Sequence, residues 1–256
     1  MFITRTLAQM QYQVIESWHV TAQRHSMTSQ QANHEGYMTD ILKHSRRDFE
    51  KGTLLEGDVP KNPLDLLMNW YHEAVNQGVA DANAMSLSTL DRQGFPVSRI
   101  VLLRDIRKDG HAKNELIFFT NYDSSKGHEI AACPKGGLLF FWQPLERQVR
   151  IRGMFEKISS ADSDAYFATR PRDSQIGAWA SPQSQKVASR EALESRVNDF
   201  TEKFRAAAKI PRPAHWGGYR LVPDLFEFWQ GRPSRLHDRL QATFDSGHWI
   251  WARLAP

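Results

Sequence analysis

The chain has 256 residues, of which 41% are hydrophobic and 24% charged, as in globular proteins with a sizeable core. This composition excludes wholesale disorder and collagen-like repeats. The formal net charge of +4 is mildly basic, and small phosphorylated ligands account for it as well as nucleic acid does. The longest apolar run, Gly136–Trp142, is far shorter than the about 20 residues that cross a bilayer, so we expect no membrane span.

The N-terminal region differs in composition from the rest. Met1–Tyr37 is rich in Gln, His, Ser and Thr and lacks the pattern of a secretory signal. We expect residues 1–44 to be a disordered tail or an over-extended start, with Met27 or Met38 as the true initiator. The single Cys133 excludes an intrachain disulfide and favours a reducing compartment. We therefore expect a cytoplasmic protein, with mitochondrial targeting by residues 1–44 left open.

Residues 45–256 are expected to form one domain, because no internal repeat or linker divides them. Apolar residues at helical spacing predict a helix that begins near Pro63 and ends at about Gly78. Short β-rich segments separated by turn signals then predict five strands. These strands are Ala84–Leu90, Val97–Leu103, Glu115–Thr120, Gly137–Gln143 and Gln148–Ile158.

The second half of the chain mixes helices and strands. The spacing of apolar residues predicts helices over Ser160–Thr169 and about Ser189–Ala208. Strands are predicted at Gly218–Val222, Leu225–Gln230, Arg239–Phe244 and Trp249–Leu254. A parallel sheet would need a helix after nearly every strand, so the pattern favours a mostly antiparallel barrel.

Several common kinds of site are not supported. The sequence has no G-x-G-x-x-G after a strand, no P-loop and no H-E-x-x-H, and its ten His lack metal-ligand spacing. Cys133 is more simply a small core or loop residue than a nucleophile. Basic residues are not interleaved with aromatics along one segment, so nothing indicates a nucleic-acid groove.

Arginine and lysine concentrate instead at strand ends and in loops, beside hydroxyl and amide residues. The clusters comprise Arg99 with Arg104, the polar loop Thr120–Lys126, the segment Arg170–Gln175 before a Gly-Ala-Trp turn, Gln183-Ser184, and Arg235-Leu-His237-Asp-Arg239. The alternation in the last cluster predicts a strand with its three cations on one face. Guanidinium groups with neutral donors are what phosphate recognition needs. The residues themselves therefore predict phosphorylated ligands on an antiparallel barrel.

Ordered motifs from about Ser45 to the C-terminus resemble pyridoxine (pyridoxamine) 5′-phosphate oxidases. They are Arg99-Ile-Val-Leu-Leu, Phe118-Phe-Thr-Asn, Glu146-Arg-Gln-Val, Tyr166-Phe-Ala-Thr-Arg-Pro, Asp173-Ser-Gln-Ile-Gly-Ala-Trp, Trp216-Gly-Gly-Tyr-Arg, Glu227-Phe-Trp-Gln-Gly, Arg235-Leu-His-Asp-Arg and Arg253-Leu-Ala-Pro. The resemblance implies a homodimeric split β-barrel with FMN at the subunit interface. It also implies oxidation of pyridoxine 5′-phosphate and pyridoxamine 5′-phosphate to pyridoxal 5′-phosphate, with O2 reduced to H2O2 and ammonia released from the amine.

The resemblance also implies the site residues by motif match. The FMN contacts would be Arg99, Ile100, Val101, Leu102, Leu103, Arg104, Phe119, Thr120, Ser125, Lys126, Gln148, Gln183, Ser184, Trp229 and Arg239. The substrate contacts would be Arg46, Arg47, Phe49, Arg104, Tyr166, Arg170, Ser174, Arg235, Leu236 and His237. Within the second set, Arg235 and His237 would orient the substrate for catalysis, and no metal is implied.

Two positions depart from the family pattern. The family usually has Lys where this chain has Arg104, and Arg where this chain has Ser125. The first change keeps the charge but alters its shape, and the second removes a phosphate partner. Two other functions stay open: a related split-barrel flavin oxidase acting on a phenazine precursor, and a non-catalytic flavin- or haem-binding barrel.

Overall fold

The computed structural model describes residues 43, 48–108 and 114–256. Contacts divide the chain into two units, Met1–Asp48 and Phe49–Pro256, and the second holds nearly all of the described residues. The predictions for residues 1–44, Arg46 and Arg47 fall outside the described residues, Lys43 excepted.

Nine strands in the described chain form one sheet, and all their pairings are antiparallel. This confirms the predicted antiparallel class. The bounds are β1 Ala84–Leu90, β2 Pro96–Leu102, β3 Asp105–Lys108, β4 Asn114–Asn121, β5 Lys135–Trp142, β6 Arg147–Lys157, β7 Trp216–Gln230, β8 Asp238–Asp245 and β9 His248–Arg253. The order of strands in the sheet is β2-β1-β5-β6-β7-β4-β3, while β8 pairs with β7 and β9 with β8.

Within the described part of the chain, five helices of eight or more residues flank the sheet. They are α1 Pro63–Asn76, α2 Ser125–Ala132, α3 Ser160–Thr169, α4 Arg172–Ala180 and α5 Arg190–Lys203. Single 3₁₀ turns occur at Glu56–Asp58, Gln143–Leu145 and Pro233–Arg235. The predicted bounds of α3 are confirmed, and α1 ends just before Gly78 as expected. α5 is shorter than predicted.

Two helices replace predicted loops. The polar loop expected over Thr120–Lys126 ends early, because Ser124 accepts a hydrogen bond from the backbone N–H of Gly127 and caps α2. The expected Gly-Ala-Trp turn is wrong as well, since those residues lie inside α4. Pro171 disfavours helical backbone at Arg170, which is extended and ends α3, and α4 starts at Arg172. The correction places Ser174 in the first turn of a helix.

The two strands predicted on either side of Pro223 are one long strand, β7. Proline cannot donate a ladder hydrogen bond, and the register with β6 shifts between Arg152 and Gly153 at this point. Gly153 permits the close approach, because a Cβ there would lie 2.2 Å from the carbonyl oxygen of Val222. The bulge keeps β7 continuous, so one strand links the α3–α4 side of the sheet to the C-terminal hairpin.

Buried hydrophobic residues form two cores. The larger fills the barrel and includes Phe118, Phe140, Trp142, Phe226 and Phe228. The smaller lies beneath α3, α4 and α5 and comprises Phe167, Ile176, Phe204, Ile210 and Trp216. It holds those helices against the start of β7.

The segment of residues 49–62, here called the N-terminal strap, is bonded to the C-terminal strands. Leu54 N–H donates to a carboxylate oxygen of Asp238 over 3.1 Å, and Arg253 Nη2 donates to the Leu54 carbonyl over 3.0 Å. The indole of Trp251 donates to the carbonyl of Pro60. Phe49, at the head of the strap, is thereby placed over the end of β7.

Candidate active site

A cavity of about 400 Å³ lies between the sheet and helices α3 and α4. Residues from β2, β4, α2, α3, α4 and the start of β7 line it. Eleven of them belong to the predicted cofactor and substrate sets: Ile100, Val101, Leu102, Arg104, Phe119, Thr120, Lys126, Tyr166, Arg170, Ser174 and Gln183. One cavity therefore combines eight of the fifteen predicted cofactor residues with four of the ten predicted substrate residues.

Lys126 brings a positive charge to this cavity with neutral partners only. Its Nζ lies 3.1 Å from Oε1 of Gln183 and 3.4 Å from Oγ of Ser124. No carboxylate oxygen lies within 4 Å of it among the described residues. Burial lowers the pKa of Lys126, and the neighbouring Arg99 lowers it further. An anion in the cavity would relieve both effects.

Arg99 differs from Lys126 because its charge is already compensated. Its Nη2 lies 2.7 Å from Oε2 of Glu129, and Nη1 donates to the hydroxyl of Thr89. Arg99 does not line the cavity. The side chain of Arg99 therefore influences the cavity chiefly by electrostatic repulsion of Lys126.

Arg170 is a second cation on the cavity wall, and its guanidinium is incompletely bonded. Nη1 is buried and has no hydrogen-bond partner among the described residues. Burial lowers the pKa of Arg170, and repulsion from Arg104 acts in the same direction. Buried polar groups without a partner are rare, so this atom indicates a place for an anionic ligand.

Flat rings form a layered wall beside Arg170. Phe119 and Tyr166 stack with centroids 3.8 Å apart and planes 10° apart. Phe119 also stacks on Trp216, at 5.4 Å and 11°. The Arg170 guanidinium carbon lies 4.6 Å from the centroid of the Trp216 ring. The wall is apolar and planar, as an aromatic ligand requires.

A second group of predicted residues lies away from the cavity lining. Gln148 pairs with Trp229 across β6 and β7, and Trp229 pairs with Arg239 across β7 and β8, so the three form one row. Arg239 is bound to buried Glu227, with Nη2 to Oε1 at 2.8 Å. The C-terminal half of the predicted site is thus ordered by strand register.

Aromatic contacts join this row to the strap. The Phe49 ring packs edge-on against Trp229 at 5.6 Å and against His237 at 5.3 Å. Trp229 and His237 lie 4.7 Å apart. A Cβ on Gly231 would lie 2.7 Å from the Phe49 ring, so glycine makes room for this cluster.

The strand predicted over Arg235–Arg239 is wrong. Arg235 ends a 3₁₀ turn, His237 lies in a loop, and β8 begins only at Asp238. Pro233 lacks an N–H, and Ser234 and Arg235 have φ of 56° and 62°, which no strand accepts. Arg235 and His237 therefore do not share a strand face with Arg239.

The remaining predicted residues lie in varied surroundings. Leu103 is in the barrel core, and both its backbone polar groups are bonded to Asn83. Ser125 is exposed at the first position of α2, beside Lys126. Ser184 is exposed with φ of 70°, and Leu236 is 70% exposed. None of these four side chains lines the cavity.

Five lining residues were not predicted: Asn121, Gly177, Ala178, Ser181 and Trp216. Asn121, Gly177 and Trp216 lie inside or next to quoted motifs, so position within a motif was the available signal. Trp216 reaches Phe119 and Arg170 only through the tertiary fold, which no local spacing encodes.

Among the described residues, no three His, Cys, Asp or Glu side chains are grouped so as to hold a metal ion. No helix in residues 48–108 and 114–256 is long and apolar enough to cross a membrane.

Comparison with family models gives two adjoining matches. Residues 71–204 match the family described as pyridoxamine 5′-phosphate oxidase. Residues 216–256 match the pyridoxine 5′-phosphate oxidase C-terminal dimerisation region. The second match contains Trp229, Arg235, His237 and Arg239.

Known relatives and solved structures agree with these matches. A pyridoxine/pyridoxamine 5′-phosphate oxidase of Bordetella petrii is 51% identical over 212 residues, covering 82% of this chain and 97% of the relative. One of Synechocystis is 48% identical, covering 84% and 98%. The structure of PhzG from Burkholderia lata in complex with tetrahydrophenazine-1-carboxylic acid is similar with a TM-score of 0.72 at 28% identity, covering 80% and 98%.

A related FMN-binding protein of Nostoc punctiforme shares the fold, with a TM-score of 0.61 at 17% identity, covering 77% of this chain and all of that one. Both family models and the near-complete alignment with relatives at about half identity lead to one assignment. The chain belongs to the pyridoxine/pyridoxamine 5′-phosphate oxidase family.

Proposed function

We propose that this protein is an FMN-dependent oxidase that converts pyridoxine 5′-phosphate and pyridoxamine 5′-phosphate to pyridoxal 5′-phosphate, with O2 as electron acceptor. H2O2 is released, with ammonia when the substrate is the amine. The observation that carries the proposal is the single cavity that combines two uncompensated cations, Lys126 and Arg170, with a planar aromatic wall. Cofactor and substrate each bring one phosphate and one flat ring system to such a site.

The chemistry of the donors on the Lys126 side fits the FMN phosphate. Lys126 is held by neutral oxygens, so its charge is available, and Thr120 and Gln183 are hydrogen-bonded to each other beside it. The strand Ile100-Val101-Leu102 supplies backbone groups and apolar surface along the cavity. We assign Lys126, Thr120, Gln183 and this strand to the cofactor; Arg99, outside the cavity lining, destabilises the charged form of Lys126, and a bound phosphate would offset this repulsion.

The Arg170 side fits the substrate phosphate. Arg170 and Arg104 line the same cavity, and Ser174 offers a hydroxyl from the first turn of α4. Helix N-termini favour anions, because their N–H groups and dipole face the ligand. Tyr166, stacked on Phe119, completes this side. We assign these residues to the vitamer phosphate and its ring.

Residues of the second group are proposed to complete the site from a partner subunit. Trp229, Arg235, His237 and Arg239 do not line the cavity of their own chain, and they lie in the matched dimerisation region. Symmetric homodimers commonly build sites at the interface between identical chains. We infer a homodimer in which each cavity meets the Gln148–Trp229–Arg239 row, Leu236 and the His237 loop of the other copy.

Bound FMN would supply the redox chemistry, namely two-electron oxidation of the substrate with O2 as the final acceptor. The side chains of this protein supply binding and orientation. Arg170 and Arg104 fix the substrate by its phosphate, and the ring wall sets the plane of the pyridine. His237, whose pKa is lowered by burial and by repulsion from Arg235, orients the reacting end together with Arg235. Positioning of this kind accelerates a reaction by removing orientational freedom.

Two alternatives were open from the sequence. Similarity to PhzG keeps a phenazine precursor as a candidate substrate. Against it, relatives that are 51% and 48% identical are pyridoxine/pyridoxamine 5′-phosphate oxidases, whereas PhzG is 28% identical. A non-catalytic barrel would not need a second uncompensated cation such as Arg170. We also propose the cytoplasm as the place of action, in keeping with the free thiol of Cys133.

The test is direct. FMN-loaded protein is incubated with pyridoxine 5′-phosphate or pyridoxamine 5′-phosphate under air, and pyridoxal 5′-phosphate and H2O2 are measured. We expect both products in equal amounts. Unphosphorylated pyridoxine is the control, and it should react far more slowly because Arg170 and Arg104 have nothing to bind. Absence of product from both phosphate esters would refute the proposed function.

A further inference from the structure

Trp216 lines the cavity but belongs to neither predicted residue set. It is 7% exposed, and it begins β7. We propose that Trp216 is a positioning residue for the substrate phosphate: its indole face holds the Arg170 guanidinium in the cavity without neutralising it. This inference rests on the proposed function and adds a residue that tunes it.

Among the described residues, the side chain of Arg170 is held by aromatic rings and by no ion pair. Its guanidinium carbon lies 4.6 Å from the centroid of Trp216 and 5.7 Å from that of Phe167. Buried Nη1 has no hydrogen-bond partner, and no carboxylate oxygen lies within 4 Å, among the described residues. A guanidinium is attracted to the face of an indole. This contact leaves the N–H groups, which lie in the plane of the guanidinium, free to bind a ligand.

Other partly buried arginines of the chain are held differently. Arg99 is paired with Glu129, Arg239 with Glu227, and Arg212 with Asp164. A carboxylate fixes an arginine firmly, but it occupies the N–H groups and cancels the charge that an anionic ligand needs. An aromatic face fixes the guanidinium without competing for that ligand. The aromatic support of Arg170 therefore suits a residue that binds an anionic ligand.

Trp216 is itself firmly fixed. Its backbone N–H donates to the carbonyl of Pro213 over 3.0 Å, and its backbone carbonyl accepts from Nη1 of Arg212 over 2.5 Å. Arg212 is in turn bound to Asp164, with Nε to Oδ1 at 2.6 Å. The Trp216 ring also stacks on Phe119. The indole therefore provides a rigid support for Arg170.

The experiment measures phosphate binding first. Inorganic phosphate is titrated calorimetrically into FMN-loaded wild type, Trp216→Leu and Trp216→Phe. We expect about three- to thirtyfold weaker binding for Trp216→Leu, and a smaller loss for Trp216→Phe because a phenyl ring is a weaker cation–π partner. KM for pyridoxine 5′-phosphate should rise by the same factor, with kcat within about twofold of wild type.

Two comparisons separate positioning from simple packing. In an Arg170→Ala background, Trp216→Leu should cause no further loss of phosphate affinity, because its effect acts through Arg170. Trp179→Leu is the matched control: this indole also carries a cation, Lys203 at 5.2 Å, but it does not line the cavity. It should leave phosphate affinity unchanged even if the melting temperature falls.

Unchanged phosphate affinity in Trp216→Leu and Trp216→Phe would overturn the inference, as would an equal loss with and without Arg170. Failure of the proposed function looks different. Wild type would then bind phosphate but oxidise neither vitamer, and the same titrations would still decide the role of Trp216. If Trp216→Leu does not fold, the loss expected in Trp216→Phe decides.

Discussion

The backbone N–H of Arg232 donates a hydrogen bond to Nδ1 of His237 over 3.1 Å. This bond requires an unprotonated Nδ1, so it selects the imidazole with its proton on Nε2. Burial lowers the pKa of His237 from its ordinary value of 6.5, and repulsion from Arg235 lowers it further. The loop thus presents a neutral ring with Nε2–H directed away from its own backbone anchor.

We expect His237 to titrate below 6.5 in the folded protein and to move upward in Arg235→Ala, where the repulsion is absent. Below 6.5 the unfolded chain binds a proton before the folded one does, so this group lowers the free energy of unfolding as the pH falls toward its folded pKa. NMR titration measures the value, with the resonance assigned by its loss in His237→Gln. A midpoint at or above 6.5 would contradict this account.

Arg170→Ala should raise KM for either phosphate ester about ten- to a hundredfold, since a charge-assisted hydrogen bond contributes about 1.5–3 kcal/mol. Bound FMN should stay at one per chain. Arg172→Ala is the matched control, because Arg172 bonds to the carbonyls of Phe204 and Ala207 and does not line the cavity. Loss of FMN with unchanged KM would mean that the two phosphate positions are exchanged.

Ser125→Arg should tighten FMN binding. The residue is exposed next to Lys126, which is the cation assigned to the cofactor phosphate. An added guanidinium is expected to contribute about 1–2 kcal/mol, or about five- to thirtyfold in Kd. The gain should shrink at high salt, which screens the new charge. Thr201→Arg, which adds the same charge on exposed α5, should leave Kd unchanged.

FMN titration of the apoprotein measures all three Kd values. If Ser125→Arg does not change the affinity at low salt, this end of α2 is not at the phosphate, and the assignment of Lys126 fails with it.

Arg104→Lys should weaken substrate binding and leave FMN binding unchanged. The charge of Arg104 acts on Arg170 within the cavity, whereas that of Arg99 acts on Lys126 from outside its lining, so the two cavity cations Arg170 and Lys126 have different neighbours. Lysine keeps the charge but loses the planar fork. We expect KM to rise about two- to tenfold, while the Kd of FMN stays constant. A weaker FMN complex with unchanged KM would assign Arg104 to the cofactor instead.

Mixed dimers test whether each site uses two chains. Arg170→Ala and His237→Ala chains carrying different tags are co-expressed and purified through both tags. Each mixed dimer should have one intact site and regain about half of wild-type activity, because the two changes fall together in the other site. Arg170→Ala paired with Ser174→Ala leaves both sites damaged and should regain nothing. Equal inactivity of the two mixtures would place both groups in one chain.

The spacing of apolar residues predicted helices and strands well where the buried face of an element follows its own helical or strand period. The alternation along β6 gave its bounds within one residue, and α3 was predicted at Ser160–Thr169. The Arg235–Arg239 alternation failed because a period-two pattern of three residues carries little information, and Pro233 with two left-handed residues overrides it. Motif matches grouped most of the cavity, but the support of Arg170 by Trp216 arises from tertiary packing.

The strap has a consequence for how the molecule is made. Its hydrogen bonds to Asp238 and Arg253 span 184 and 199 positions of the chain. During synthesis, the segment around Leu54 leaves the ribosome early and waits for β8 and β9, which emerge last. All cavity-lining residues precede them, the last being Trp216. A nascent chain can therefore build its cavity before Phe49 and His237 meet, and a C-terminus shortened by β9 would lose the bonds of Arg253 and Trp251 to the strap.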